Sequence, residues 1–175
     1  VSAIPYPAPA DAATSKRMSR NRKRDTRPER AVRSALHVRG LRFRVDHRLR
    51  LPELAVRPDI VFTRVRLAVF IDGCFWHACP EHGTAPTRNV EYWAPKLRRN
   101  AERDRRVDRA LAEAGWIVLR AWEHEDVDNV VDRVLAALDS AGSGERLGPD
   151  LQHGVDDHGL LCRDVLPVAG EAKPV

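Results

Sequence analysis

Ile60-Val61-Phe62-Thr63-Arg64-Val65-Arg66-Leu67-Ala68-Val69-Phe70-Ile71 is the stretch on which the fold turns. Two short apolar, β-branched runs, Ile60 to Phe62 and Leu67 to Ile71, flank a polar turn at Thr63 to Arg66. Runs of this length bounded by turn residues are strands rather than buried helices, and their lack of polar alternation places both in the centre of a sheet.

Working upstream, residues 42–47 alternate Phe43 and Val45 with charged neighbours, the pattern of a half-buried strand. Before them, Thr26, Pro28 and Glu29 have the spacing of a capped helix start, with a hydroxyl and a carboxylate three residues apart. That helix turns Ala31, Val32, Ala35 and Leu36 inward, and Gly40 can end it. Downstream, an irregular loop from Gly73 to about Val90 precedes a long helix expected from Pro95 to Ala114, with Leu97, Ala101, Val107 and Leu111 on its inner face and Gly115 as its stop. Trp116 to Ala121 is a further strand, and a last helix is expected from Asp126 to Asp139. Helix, three strands, helix, strand, helix is an α/β order that implies a mixed central sheet flanked by helices on both faces.

One compact domain is expected over residues 18–140 of the 175. Residues 1–17, rich in proline and alanine, read as a disordered extension, and Met18 is a candidate translation start. Residues 141–175, where glycine, aspartate and proline accumulate without a period, read as a flexible tail containing Cys162. No apolar run approaches bilayer length, which argues against membrane spans. The three cysteines and the lack of a signal-like apolar N-terminus point to a reducing cytoplasm.

The net charge of +5 understates local basicity, because arginine and lysine crowd into residues 20–33 and 96–109. Such clusters suit a polyanion, whose phosphates release counterions when neutralised. The plainer reading of any charge run is a solvated helix face.

The densest chemical constellation is Gly73-Cys74-Phe75-Trp76-His77-Ala78-Cys79-Pro80-Glu81-His82, directly after a buried strand. Cys74 and Cys79 with a nearby imidazole supply soft ligands that favour tetrahedral zinc. His124, just past the strand at 116–121, is the candidate fourth ligand, since adjacent strand ends converge in space; spacing leaves the third open between His82 and His77. Reduced buried cysteines beside surface histidines are the alternative.

Asp59 enters the first central strand behind Pro58, and Asp72 with the carbonyl of Ile71 ends the next. Together they can form an oxygen site for Mg²⁺, which polarises a phosphate and acidifies an attacking water, with His77 a short loop away to move the proton. Alone, an aspartate at a strand start is more often a turn residue. Phe75, Trp76 and Trp93 sit in or beside polar loop sequence and suit wedges between base steps, whereas Trp116 and Trp122 belong to the core or its edge.

Arg57-Pro58-Asp59-Ile60-Val61, then Val69-Phe70-Ile71-Asp72-Gly73-Cys74-Phe75-Trp76-His77, then Glu91-Tyr92-Trp93 with Lys96 and Asn100, and finally Gly115-Trp116 with Trp122-Glu123, resemble the very-short-patch repair endonucleases. The likeness covers about residues 18–140. It implies a restriction-endonuclease-like core, a magnesium-dependent nick of double-stranded DNA on the 5′ side of the thymine in a T·G mismatch, and a functional link to the cytosine-5 DNA methyltransferase whose product deaminates to that mismatch. By the same resemblance Asp59 is the principal magnesium ligand, Ile71 adds its carbonyl, His77 is the general acid/base, and Phe75, Trp76 and Trp93 wedge into DNA. Glu29 matches an acidic position near the active centre. Some members carry threonine and histidine where this chain has Ile71 and Asp72, so Asp72 adds an acidic group able to join the catalytic set. The zinc loop varies in length and ligand type among members, so Cys74 and Cys79 carry over from the resemblance while His82 and His124 rest on spacing; these four are the expected structural zinc set, which leaves His77 free for the catalysis the resemblance implies. A monomer acting on the nucleoid in a bacterial cytoplasm is expected. The alternatives are a related nicking or restriction-type nuclease without mismatch preference, and a non-catalytic zinc-stabilised DNA-binding module.

Overall fold

A computed structural model describes residues 24–83 and 86–142. The expected extension 1–17, Met18 and Cys162 lie outside the described residues.

Helix α1 spans Arg27–Val38, with Thr26 as its N-cap. The Thr26 hydroxyl receives the Glu29 amide at 3.5 Å and donates to Glu29 Oε1 at 2.9 Å, so the spacing read from the sequence does form a capping arrangement. Strands β1 (Arg44–Val45), β2 (Leu49–Arg50), β3 (Ala55–Val56), β4 (Ile60–Phe62) and β5 (Leu67–Asp72) follow. Helix α2 (Val90–Glu113), strand β6 (Ile117–Trp122) and helix α3 (Val127–Gly142) complete the order.

The main sheet runs β1-β4-β5-β6, antiparallel except for the parallel β5·β6 pair. This is the expected mixed sheet, and helices cover both faces. Along β5, Leu67 and Val69 join Val32 and Leu36 of α1 and Val130, Val131 and Val134 of α3 in one core. Ala68 and Phe70 face the other way, toward Val107 and Leu111 of α2. A strand apolar on both faces is what a two-sided sandwich of helices demands; each fully buried aliphatic side chain contributes roughly 1.5–3 kcal/mol. Among the described residues, no helix is long and apolar enough to cross a membrane.

Four details differ from the sequence expectation. The half-buried strand at 42–47 shrinks to two residues, because Asp46 adopts a left-handed φ of 49° that breaks the extended backbone. A small antiparallel ribbon, β2·β3, was not expected; its two-residue strands carry too little pattern to read, and Leu49 and Val56 anchor it to the α2-side core. Helix α2 begins at Val90 rather than Pro95, with Asn89 in the left-handed region at its start. Pro95 therefore falls inside the helix, in its second turn, where it forfeits one backbone hydrogen bond, and the early start lifts Trp93 onto the inner face. Finally, α3 continues to Gly142, two residues past the expected domain boundary.

Two features of this topology position the site. Pairing β4 antiparallel to β5 brings Asp59, at the beginning of one strand, beside Ile71, at the end of the other: the Ile71 amide donates to Asp59 Oδ2 at 2.8 Å. Pairing β5 parallel to β6 aligns Asp72 with Trp122, so the segments leaving both strands start side by side, about 5 Å apart.

Candidate active site and metal centre

Because those segments leave together, residues fifty positions apart meet. The ligand atoms of Cys74, Cys79, His82 and His124 all lie within 4.8 Å of one another. Nδ1 of His124 approaches Cys74 Sγ to 3.1 Å and Cys79 Sγ to 3.7 Å, while its Nε2 faces Glu81 Oε2 at 3.4 Å. A carboxylate on the far nitrogen fixes the tautomer that leaves Nδ1 free to bind a metal. Local backbone closes the loop: the Cys79 amide donates to the Cys74 carbonyl at 2.9 Å, the Gly83 amide to the Cys79 carbonyl at 2.7 Å, and the His82 amide to Cys79 Sγ at 3.4 Å. Burial, together with the neighbouring Cys79, pushes the Cys74 thiol up to about 12, the expected cost of two sulfurs facing each other without a cation. The donor set is that of a soft, four-coordinate metal site. His82, and not His77, is the histidine of this loop whose ring lies with the two cysteines and His124.

His77 sits instead over α2. Its Nδ1 lies 2.6 Å from Asp104 Oδ2 and 3.5 Å from Asp72 Oδ1. Since a carboxylate accepts, the ring donates its Nδ1–H, and Nε2 is the nitrogen left for chemistry. Asp104 went unremarked in the sequence, although it is buried on the inner face of α2, one turn from Asn100 and one from Asp108. The signal was a second stripe at spacing four beside the apolar one. Lys96 lies over the Tyr92 and Trp93 rings, the Asn100 side-chain amide donates to the Trp76 carbonyl at 3.1 Å, Asp104 accepts from His77, and Asp108 accepts from Arg120 Nε at 2.9 Å. Arg120, also passed over, is an arginine within an apolar strand, 4% exposed.

Asp72 is placed by Arg120 as well: Nη1 donates to both of its oxygens, at 2.9 and 2.8 Å. Glu29, 5% exposed, accepts from Thr26, from the Asp25 amide and from Arg33 at the head of α1. Asp59 differs from these two carboxylates, since its hydrogen-bond donor is the Ile71 amide, with Arg33 acting on it only as a nearby charge. Burial raises its pKa from 3.8 to about 6, the Ile71 amide opposes this, the carboxylates of Glu29 and Asp72 add to it, and the charge of Arg33 works against it. A half-buried acid beside two further carboxylates can offer oxygen ligands to a hard divalent cation, although Arg33 and Arg120 already balance Glu29 and Asp72.

Phe75, Trp76 and Trp93 form a mutually edge-on cluster with ring centroids 5.2 to 5.8 Å apart. Trp93, on α2, is buried, while Phe75 and Trp76 are half-buried in the loop. Asp59, Ile71, Asp72, Glu29, His77 and all three aromatic residues line one cleft of about 1920 Å³, whose wall also carries Arg27, Arg30, Arg57, Arg88, Lys96 and Arg103. A cleft lined by both carboxylates and basic side chains can admit a phosphodiester and gather a cation beside it.

The family profile described as DNA mismatch endonuclease Vsr matches residues 10–81. The type II nicking enzyme V.NaeI of Lentzea aerocolonigenes is 56% identical over 134 residues, covering 76% of this chain and 81% of that protein. The type II nicking enzyme V.XorIIP of Xanthomonas oryzae is 47% identical over 110 residues, covering 62% and 77% respectively. The DNA mismatch endonuclease Vsr of Escherichia coli is 40% identical over 116 residues, covering 64% and 70%.

Proposed function

This chain belongs to the Vsr family of DNA mismatch endonucleases, and from that premise we propose that it nicks double-stranded DNA on the 5′ side of the thymine in a T·G mismatch left by deamination of 5-methylcytosine. The reading is supported above all by one juxtaposition: a cation-seeking Asp59, a carboxylate-bound His77 and the Phe75–Trp76–Trp93 cluster share a single cleft.

Asp59 and the Ile71 carbonyl are the residues to hold magnesium, which when bound polarises the scissile phosphate and acidifies the attacking water. The Asp59 carboxylate, whose hydrogen-bond donor is the Ile71 amide, suits that role. His77, held through Nδ1 by Asp104, presents Nε2 as the group that exchanges a proton with the reacting phosphodiester, leaving a hydroxyl on the 3′ side. Glu29 and Asp72 set the negative potential around Asp59. Phe75 and Trp76, exposed enough to reach DNA and braced from behind by Trp93, open the stack beside the mismatch. A T·G wobble stacks less well than a correct pair, lowering the distortion cost by roughly 1–3 kcal/mol and giving selectivity through deformability. Zinc at Cys74, Cys79, His82 and His124 braces the loop that carries Phe75, Trp76 and His77. The protein acts as a monomer in the bacterial cytoplasm, alongside a cytosine-5 methyltransferase.

The test is a strand-specific nicking assay with Mg²⁺ on T·G and matched duplexes of one sequence. Nicking confined to the thymine strand of the mismatch, and lost in Asp59→Ala with binding retained, supports the proposal. Equal cutting of matched DNA favours a nuclease without mismatch preference, a reading to which the relatives named nicking enzymes lend weight. Unchanged DNA behaviour in Asp59→Ala would leave only a zinc-stabilised binding module.

A further inference from the structure

Arg120 lies in the middle of β6, and its side chain leaves the sheet toward α2. Nη1 donates to both oxygens of Asp72 at 2.9 and 2.8 Å, and Nε to both oxygens of Asp108 at 2.9 and 3.1 Å. Nη2 lies 2.9 Å from Asp108 Oδ1 and 3.9 Å from Asp104 Oδ1, and the guanidinium sits 4.4 Å from the centroid of the Phe70 ring. At 4% exposure the group is almost wholly desolvated.

Stability alone does not explain an arginine here. Removing ions from water costs several kcal/mol each, and buried ion clusters are often replaced by well-packed apolar side chains with no loss of stability. What an apolar side chain beside Phe70 cannot do is hold carboxylates at fixed angles. The planar fork does this, and a lysine point charge does not. Two of the carboxylates gathered around Arg120, Asp72 and Asp104, are the same two that face Nδ1 of His77, at 3.5 and 2.6 Å.

We propose that Arg120 is a positioning residue for the endonuclease centre: by fixing Asp72, and by its proximity to Asp104, it holds the His77 ring in the orientation that presents Nε2 to the cleft. This rests on the nicking function proposed above. Asp108 shares the task from the far side, since its carboxylate prevents the guanidinium from swinging away from Asp72.

The decisive experiment compares single-turnover nicking of T·G DNA by the full chain, Arg120→Lys and Arg120→Ala, together with duplex binding, thermal unfolding and the proton NMR resonance of the His77 Nδ1–H. Both variants are expected to nick about 10–100-fold more slowly, a smaller loss than removal of the orienting carboxylate itself, because Asp104 stays in contact with His77. Binding should hold, and the downfield Nδ1–H resonance should shift or vanish. Millimolar guanidinium, admitted through the cleft that Arg120 helps to line, should restore part of the Arg120→Ala rate. A folded variant that nicks at the parental rate with an unchanged His77 resonance overturns the inference. So does guanidinium that restores the melting temperature without the rate. Should Arg120→Ala not fold, the charge-balanced double variant Arg120→Met with Asp108→Asn removes one charge of each sign and carries the same two outcomes. If the parental chain itself fails to nick T·G DNA, the functional reading fails instead, and the His77 resonance alone still decides whether Arg120 holds the ring.

Discussion

The Asp104 carboxylate lies 2.6 Å from Nδ1 of His77, joining the middle of α2 to the loop that follows β5. This contact fixes which imidazole nitrogen carries a proton and which faces the cleft. Asp104→Asn keeps the shape but not the acceptor-only character that enforces the tautomer. Nicking should fall by about 10²–10⁴-fold, the range spanned by loss of an acid/base group and of its orienting carboxylate, with DNA binding and zinc content unchanged. Single-turnover kinetics beside a binding titration check this; a parental rate would show that the contact is only structural.

The raised pKa of Asp59 carries a stability consequence with a definite sign. Its carboxyl titrates near 3.8 in the unfolded chain and about 6 in the folded one, so between those values the folded state binds more protons. Stability therefore falls as pH rises through the window. Asp59→Asn, whose amide oxygen can still accept from Ile71, should be more stable than the parent at pH 7 by about 1–3 kcal/mol in magnesium-free buffer, with the difference closing below about pH 4. It should not nick. Urea unfolding of zinc-loaded protein across this pH range measures the gap, and a parent as stable as the variant at neutral pH would contradict it.

Metal content offers an independent check. Elemental analysis of purified protein should find about one zinc per chain, and a strong chelator should unfold the loop. Cys74→Ser and Cys79→Ser should aggregate or melt early. Gly83→Ala should also lose zinc, because a Cβ there would stand 2.2 Å from the Cys79 carbonyl oxygen whose hydrogen bond closes the loop. Retention of a metal-free fold by both cysteine variants would refute the zinc assignment.

The aromatic cluster divides by burial. Trp93→Ala removes a 9% exposed side chain from the base of the cluster and should cost about 3–5 kcal/mol of stability. Phe75→Ala and Trp76→Ala act on half-buried rings, so they should melt closer to the parent yet nick T·G DNA at least about tenfold more slowly, since the unstacking they assist is worth a few kcal/mol. Indole fluorescence on adding mismatched duplex would report the same division. Equal stability losses across all three would assign the cluster to packing alone.

The sequence by itself determined the layers and the chemistry-bearing residues. Continuous apolar runs at Ile60 and Leu67 can only be central strands, because a strand buried on both faces has no polar side to show. Capping residues and helical periods are likewise local, so α1, α2 and α3 could be read, and the cysteine spacing already pointed to the cluster of sulfur and imidazole donors that the structure assembles. Local pattern was too weak for the β2·β3 ribbon and misleading at Pro95, whose cost depends on where in the helix it falls. Tertiary structure alone decided the partners. That His124 joins the cysteine cluster, and that Asp104 and Arg120 stand behind His77, follow from the parallel β5·β6 register and the passage of α2 across its face. Those contacts join residues 27 to 50 positions apart, and no periodicity within one segment encodes the distance between two.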